Sequence, residues 1–333
     1  MEFGGPDLPP RRLRNLLQEQ VDASPPGSRI DWATYYFRDR ELAHALMRAS
    51  DRGVRVNLVL EPDPRRAGAN DTVISLLRNH GLKGGFHLYH PRPDDKGHLH
   101  AKIYAFSRPD IAWIGSFNPS GDEPEDEDVI AEIGDQDKGH NLLVGVRNAR
   151  LTKALRRHVS LLGGSGRIPL RLRPDFNRVS WSSGARLYFY PRIFPDLVER
   201  SVQRMKSGDC LRGAISHLKA GELTKQLQDA AGRGVKVDLL VHDTMRRVPD
   251  EVVQQLEAAG VNIIRVRHPN DLPMHAKFLL LEKSGNRVAW VGSYNFNRKS
   301  RKYNAEVLLR TNDLAVFETL EQRFAAISSM ARF

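Results

Sequence analysis

Cysteine is nearly absent from this chain: among 333 residues only Cys210 carries a thiol. One thiol rules out an intramolecular disulfide and leaves no partner for dithiol redox chemistry, so the composition suits a reducing compartment. Long apolar runs are missing too. Nowhere do about 18 apolar residues follow one another, the length a membrane-spanning helix needs, which excludes a spanning segment but not a position on a membrane surface. The first residues include Gly4, Gly5, Pro6, Pro9 and Pro10 and no apolar core of the secretory type. The expected location is cytoplasmic or peripheral to a membrane, with a mature secreted form, its signal already removed, as the alternative.

Lys and Arg number 51 against 40 Asp and Glu, a formal charge of +11, and the sequence pI is about 9.9. Such a balance favours anionic partners: nucleic acid, anionic lipid or phosphorylated small molecules. Residues 121–138 run the other way, with nine acidic side chains and one lysine, so this segment carries −8 and the remainder +19. It reads as an acidic flap on a basic body. A hydrophobic fraction of 40% supports ordinary cores, and the length is comfortable for two similar domains.

What the chain does contain is a repeat, the first thing to look for in a sequence. A helix that ends in a Gly turn and leads into an apolar strand occurs at Gly53-Val54-Arg55-Val56-Asn57-Leu58 and again at Gly234-Val235-Lys236-Val237-Asp238-Leu239. A second helix and Gly turn follow, ending at Gly81 and Gly260, then another strand and the tripeptide His-Ala-Lys. This alternation predicts an α/β fold of two similar domains with central, mainly parallel sheets, related by a pseudo-two-fold. Opening strands are expected near 30–36 and 211–217. A Gly, Ser, Pro and Arg-rich stretch at 162–183 reads as a connection, followed by a strand at 185–190. The expected division is an N-terminal extension (1–27), a first half (28–162), a connection (163–184) and a second half (185–333).

The first copy of the chemical motif is His100-Ala101-Lys102, a hairpin, then Gly115-Ser116-Phe117-Asn118; the second is His275-Ala276-Lys277, a hairpin, then Gly292-Ser293-Tyr294-Asn295. Histidine to asparagine spans 18 residues in one and 20 in the other, the difference falling in the turn, where length costs little. Side chains at i and i+2 of a strand share a face, so each His and Lys point together, and the hairpin brings Ser and Asn back beside them. Imidazole, ammonium, hydroxyl and carboxamide in one place form a phosphate-binding set that includes a nucleophile. A lone His-x-Lys is more often a histidine with no chemical role, and Gly-Ser-x-Asn alone is common in turns. The same order twice, at matching places in a repeat, is not a chance arrangement.

These residues resemble the phospholipase D superfamily, whose signature is a duplicated His-x-Lys followed by Gly-Ser-x-Asn; the resemblance runs from about residue 30 to about 324. It implies a pair of α/β domains with one active site at their interface. It also implies a covalent phosphohistidine on one motif histidine, protonation of the leaving alcohol by the other, and no metal or cofactor. On that resemblance His100 is the nucleophile and His275 the acid, Lys102, Lys277, Asn118 and Asn295 hold the phosphate oxygens, and Ser116, Ser293 and Glu306 support them. The pattern is not complete. Five positions after the motif lysine the family has an acidic residue, here Ser107 and Glu282. Glu306 offers a carboxylate for a histidine Nδ1, but the matching segment 139–143 has none, which leaves the partner of His100 unidentified.

Weaker signals remain. The acidic run 122–128 suits a solvated loop or lid better than a Ca²⁺ site, and His87, His90, His98 and His140 fit no standard zinc spacing. The aromatics Trp32, Tyr35, Tyr36, Tyr188 and Tyr190 are expected in the core or on a cleft wall. For substrate, the lipid reading is a phospholipase D or phosphatidyltransferase working at an anionic membrane surface. The alternatives are a metal-independent endonuclease for DNA or RNA, and a phosphate-binding protein without turnover. Two motifs in one chain suffice for a monomer, and an acidic flap beside Asn118 repels a polynucleotide. Both favour the lipid reading.

Overall fold

The computed structural model describes residues 1–91, 96–120, 138–164, 168–269 and 271–331. Of the acidic segment 121–138 only Lys138 falls within these, so the flap lies outside the described residues. The first half supplies β1 (Glu2–Gly4), β2 (Arg29–Thr34), β3 (Arg55–Leu60), β4 (Gly85–Leu88), β5 (Ile103–Ser107), β6 (Asp110–Gly115) and β7 (Asn141–Val146). The second supplies β8 (Ser180–Ser182), β9 (Ala185–Tyr190), β10 (Cys210–Ile215), β11 (Lys236–His242), β12 (Asn262–Val266), β13 (Lys277–Lys283), β14 (Asn286–Gly292) and β15 (Glu306–Thr311).

Sheet order is β1-β7-β6-β5-β2-β3-β4 in one half and β12-β11-β10-β13-β14-β15-β9-β8 in the other. Each is mixed. The helix-linked strands β2-β3-β4 and β10-β11-β12 run parallel, as crossover connections require. The motif strands β5-β6-β7 and β13-β14-β15 are antiparallel, because a hairpin between two of them leaves no other choice. Parallel pairing is thus confined to one arm of each sheet. Gly53 and Gly234, with φ of 97° and 86°, supply the left-handed residue that ends a helix and turns the chain into β3 and β11.

Residues 1–27, set apart by the sequence reading as an extension, carry β1 and the helix Arg12–Asp22, whose Leu13, Leu17 and Val21 are buried. β1 pairs antiparallel with β7 as β9 does with β15, and β9 is likewise followed by a helix, Leu197–Gln203. The segment therefore opens the first copy of the repeat. Three residues of strand are too few to show a period in the sequence.

Three apolar clusters build five layers. One fills the outer face of the first sheet beneath its helices, and one does the same for the second. The largest lies between the sheets and joins the two halves, with the helices Ala149–Gly163 and Leu314–Met330 covering parts of the inner faces. Arg323 of the latter helix reaches back to Asp7 at 2.6 Å, a further tie between the halves.

The glycine that opens each Gly-Ser-x-Asn motif is dictated by close approach. A Cβ on Gly115 would stand 2.1 Å from Leu142 O, and one on Gly292 2.2 Å from Val307 O, both backbone atoms that cannot swing aside. Gly292→Ala is expected to destabilise the fold by about 1–3 kcal/mol, the usual cost of overpacking. Urea unfolding would show this as a lower midpoint at unchanged slope; an unaltered midpoint would mean that β14 and β15 have room the geometry denies.

Candidate active site

His100 and His275 lie just before β5 and β13, and the chain there pairs with the opposite half. His100 N donates to Ala305 O at 2.9 Å and Ala305 N to His98 O at 2.9 Å. In the other copy His275 N donates to His140 O at 3.0 Å and His140 N to Pro273 O at 3.2 Å. Two short parallel bridges, Leu99 with Ala305 and His140 with Met274, result.

The side chains follow the same exchange. Glu306, at the start of β15 and fully buried, accepts from His100 Nδ1 at 2.9 Å, from Ser293 Oγ at 2.6 Å, from Ser300 Oγ at 2.5 Å and from Asn304 Nδ2 at 3.4 Å. The unidentified partner of His100 is thus the carboxylate of the other half. Asn141, at the start of β7, holds the equivalent place: its Oδ1 accepts from Ser116 Oγ at 2.8 Å and from His275 Nδ1 at 3.0 Å. The sequence shows this position only as one lacking a glutamate. Aligning the repeat residue by residue across the bridges matches Asn141 with Glu306.

Burial works to raise the Glu306 pKa, but the His100 imidazole, Lys102 and the Ser293 hydroxyl outweigh it and hold the carboxyl below its ordinary value. An ionised carboxylate only accepts, so His100 carries its proton on Nδ1 and its lone pair on Nε2. Ser116 Oγ takes a hydrogen bond from Leu142 N and gives its own to Asn141, which fixes the amide oxygen toward His275 and the same tautomer there. Both serines are fully buried and engaged in this way. The expectation that their hydroxyls face the phosphate is replaced by a role in holding the partners of the histidines.

The two halves meet at a cleft of about 280 Å³ lined by His100, His275, Asn118 and Asn295 together. Asn118 Oδ1 accepts from Tyr36 N at 3.3 Å; Asn295 Oδ1 is buried with no hydrogen-bond partner among the described residues. Lys102 and Lys277 are fully buried and lie beneath this lining, each donating to the carbonyl of its own motif histidine, at 2.7 and 2.6 Å. Burial pushes the Lys102 ammonium down to about 7 against the upward pull of Glu306. Burial, then repulsion from Lys102 and Arg247, lowers Lys277. His100 is driven by burial down to about 4, although Glu306 pulls it up; His275 has no carboxylate, and burial with the charge of Lys277 holds it well below the usual imidazole range.

Several lining residues carried no signal in the motifs. Tyr35 and Tyr36 form an edge-to-face pair at 4.5 Å, and the Tyr35 ring lies 5.3 Å from that of His100. Trp32, Tyr188 and Tyr190 are core residues. Arg65, Arg246, Arg247 and Lys299 add a basic rim, and His217 joins the lining with its ring held neutral by burial. His217 follows β10 where Tyr36 follows β2, so the repeat would have paired them. Among the described residues no group of three or more His, Cys, Asp or Glu side chains is arranged to hold a metal ion.

The sequence model of the family described as "Cardiolipin synthase, PLD-like domain" matches residues 20–131 and 203–328, well over half the chain and one region in each half. The chain belongs to this phospholipase D-like family. No curated protein sequence matches it. Among solved structures, phosphatidylserine synthase of Haemophilus influenzae shares the fold with a TM-score of 0.70 at 11% identity, covering 96% of this chain and 84% of that one. Polyphosphate kinase of Porphyromonas gingivalis aligns with a TM-score of 0.65 at 17% identity over 95% of this chain. The present chain spans 48% of that kinase, about half its length. Membership accounts for the duplicated arrangement of this phospholipase D-like chain, with one matched region in each half. No helix of the described residues is long and apolar enough to cross a membrane.

An anion entering the cleft restores the proton that Lys102 loses near pH 7. Sulfate, which does not itself titrate in this range, is therefore expected to bind with proton uptake. Its affinity should be greatest below pH 7 and fall as pH rises above it, by up to about tenfold per pH unit for each proton taken up. Calorimetry in buffers of different ionisation enthalpy measures both; constant affinity from pH 6 to 8.5 would contradict the assignment.

Proposed function

We propose that this chain is a phosphodiesterase of phospholipase D type that hydrolyses or transfers the phosphatidyl group of phospholipids through a covalent phosphohistidine, without metal or cofactor. The reading rests chiefly on one observation: two histidines from opposite halves line one cleft, one held by a buried carboxylate and the other by a carboxamide.

His100 Nε2 attacks phosphorus while Nδ1–H stays on Glu306, whose charge offsets the positive charge that develops on the ring. The bond from phosphorus to the leaving oxygen breaks, and that oxygen takes the Nε2 proton of His275, which enters this step as imidazolium beside the phosphate anion and leaves it neutral, with Nδ1–H still on Asn141. In the second half-reaction His275 Nε2 removes a proton from water or an acceptor alcohol. Its oxygen then attacks phosphorus, the P–N bond breaks, and His100 is regenerated. Asn118 and Asn295 orient the non-bridging oxygens, and the buried charges of Lys102 and Lys277 favour the transition state over the ground state. Only His100 has an anionic partner, which suits the nucleophile; His275, with a neutral partner, parts with a proton more readily, which suits the acid.

Partners follow from this chemistry. The substrate is a phospholipid at an anionic membrane surface, reached by a cytoplasmic or peripheral protein. A monomer suffices because both half-sites belong to one chain.

In EDTA, with mixed phospholipid vesicles, the chain should release head group or form phosphatidic acid or a transfer product. His100→Ala and His275→Ala should each lose about 10³-fold or more in turnover, and Glu306→Gln about 10²–10⁴-fold. Full activity in both alanine variants, or complete loss on chelation alone, would contradict the chemistry; cleavage of DNA in place of lipid would contradict the substrate. Asn141→Asp places a negative charge beside His275 and raises its pKa, so the protonated acid persists to higher pH. The alkaline limb of kcat/KM should move up by about one to three pH units.

A further inference from the structure

A second pocket, of about 300 Å³, opens between the helix Ala149–Gly163 and the connection that follows it, and it shares no lining residue with the cleft. Four cations line it, Arg150, Lys153, Arg157 and Arg178, with one carboxylate, Asp175, bonded to Arg157 at 2.8 Å. His158, 1% exposed, also lines it. Its ring is stacked on Phe189 at 3.8 Å and set edge-on to Phe176 at 4.8 Å. Neither ring nitrogen has a hydrogen-bond partner among the described residues. Buried polar groups are bonded as a rule, and aromatic packing on two sides fixes this one. Burial holds the ring neutral at ordinary pH, so it offers one donor and one acceptor, a match for a phosphate oxygen beside a hydroxyl.

The surroundings are unusual in charge and in apolar exposure. The helix Ala149–Gly163 carries four cations and no acid, and residues 168–194 carry five arginines against Asp175 alone. Within that same stretch Ile168, Leu172, Trp181, Ile193 and Phe194 are the exposed large apolar side chains; elsewhere the described residues add only Met245 and Leu314. Trp181 is 56% and Phe194 66% exposed. Arg150 of the pocket lies 5.0 Å over the Trp181 ring. Asn177 ties in the 192–194 stretch through Arg192 Nη2 at 3.0 Å and Ile193 N at 2.8 Å. Exposed Trp and Phe among arginines are what an interfacial membrane contact presents, and the charge complements an anionic leaflet.

We propose that this face docks the chain on an anionic phospholipid bilayer. One lipid phosphate seats beside His158 among Arg150, Lys153, Arg157 and Arg178, while Trp181 and Phe194 enter the headgroup layer. The surface is separate from the cleft and stands whether or not His100 is the nucleophile.

Vesicle flotation of the full chain tests it, with phosphatidylcholine alone and with added phosphatidylglycerol. Binding is expected only with the anionic lipid, to weaken with salt, and to fall about tenfold or more in Lys153→Glu/Arg178→Glu and in Trp181→Ala/Phe194→Ala. His158→Phe keeps the packing, removes both nitrogens and should weaken binding with an unchanged melting temperature. His100→Ala should bind like the parent even when turnover is lost, which separates this surface from the catalytic reading. Equal binding by all variants would overturn the proposal. So would variants that lose affinity for free glycerol phosphate but not for vesicles, or preferential binding of duplex DNA to this face.

Discussion

A carboxylate with no access to water has to be satisfied by protein, and Glu306 achieves this through His100, Ser293, Ser300 and Asn304. Three of these donors are its own half's; the fourth belongs to the other. Left without His100, the carboxylate would be short of a charge-compensating donor in a buried place, a costly condition. Docking of the two halves and orientation of the histidine are therefore one event. The backbone bridge of Leu99 with Ala305 and the reciprocal bridge of His140 with Met274 set the register of that docking to a single residue. Gly97 marks how close the approach is, since a Cβ there would stand 1.9 Å from Tyr303 O.

Duplication gives the two half-sites one geometry, and single substitutions give them different electrostatics. Asn141 keeps the hydrogen bond that Glu306 makes and omits the charge. A carboxylate of the protein thus favours the imidazolium form on one side of the cleft only, and on the other side that charge has to be balanced by the bound phosphate. The walls differ in the same sense: Tyr35 and Tyr36 beside His100, with His217 at the place in the second half that matches Tyr36, near Arg246 and Arg247. An asymmetric substrate has distinct sides to meet, and the histidine proposed as the acid stands on the one with Arg247.

Much of this was legible in the sequence because it is written twice. Gly53 against Gly234, and the His-Ala-Lys and Gly-Ser-x-Asn pairs, gave the repeat, the α/β class and the residues of the cleft. What the motifs could not show is which half each side chain serves. Residue spacing within a half suggests that its serine, glutamate and histidine act together, whereas Ser293 and Glu306 hold His100. The parallel arm of each sheet was the more legible because crossovers leave a strong helical period between strands, whereas of the antiparallel arm the sequence marks only the motif hairpins, each by its turn. β1 went unseen for lack of length. Lys102 and Lys277 were recognised by type, but their burial beneath the histidines is a matter of packing that no local pattern records.

The central claim is that the bond to phosphorus forms on His100, held by a carboxylate from the opposite half. Denaturing quench at alkaline pH during turnover of a phospholipid, followed by mass spectrometry of the peptides, locates that bond directly. A phosphatidyl adduct on the peptide carrying His100, absent from Glu306→Gln, is the result the account requires; an adduct on the peptide carrying His275, or steady turnover with no adduct on either histidine, would contradict it.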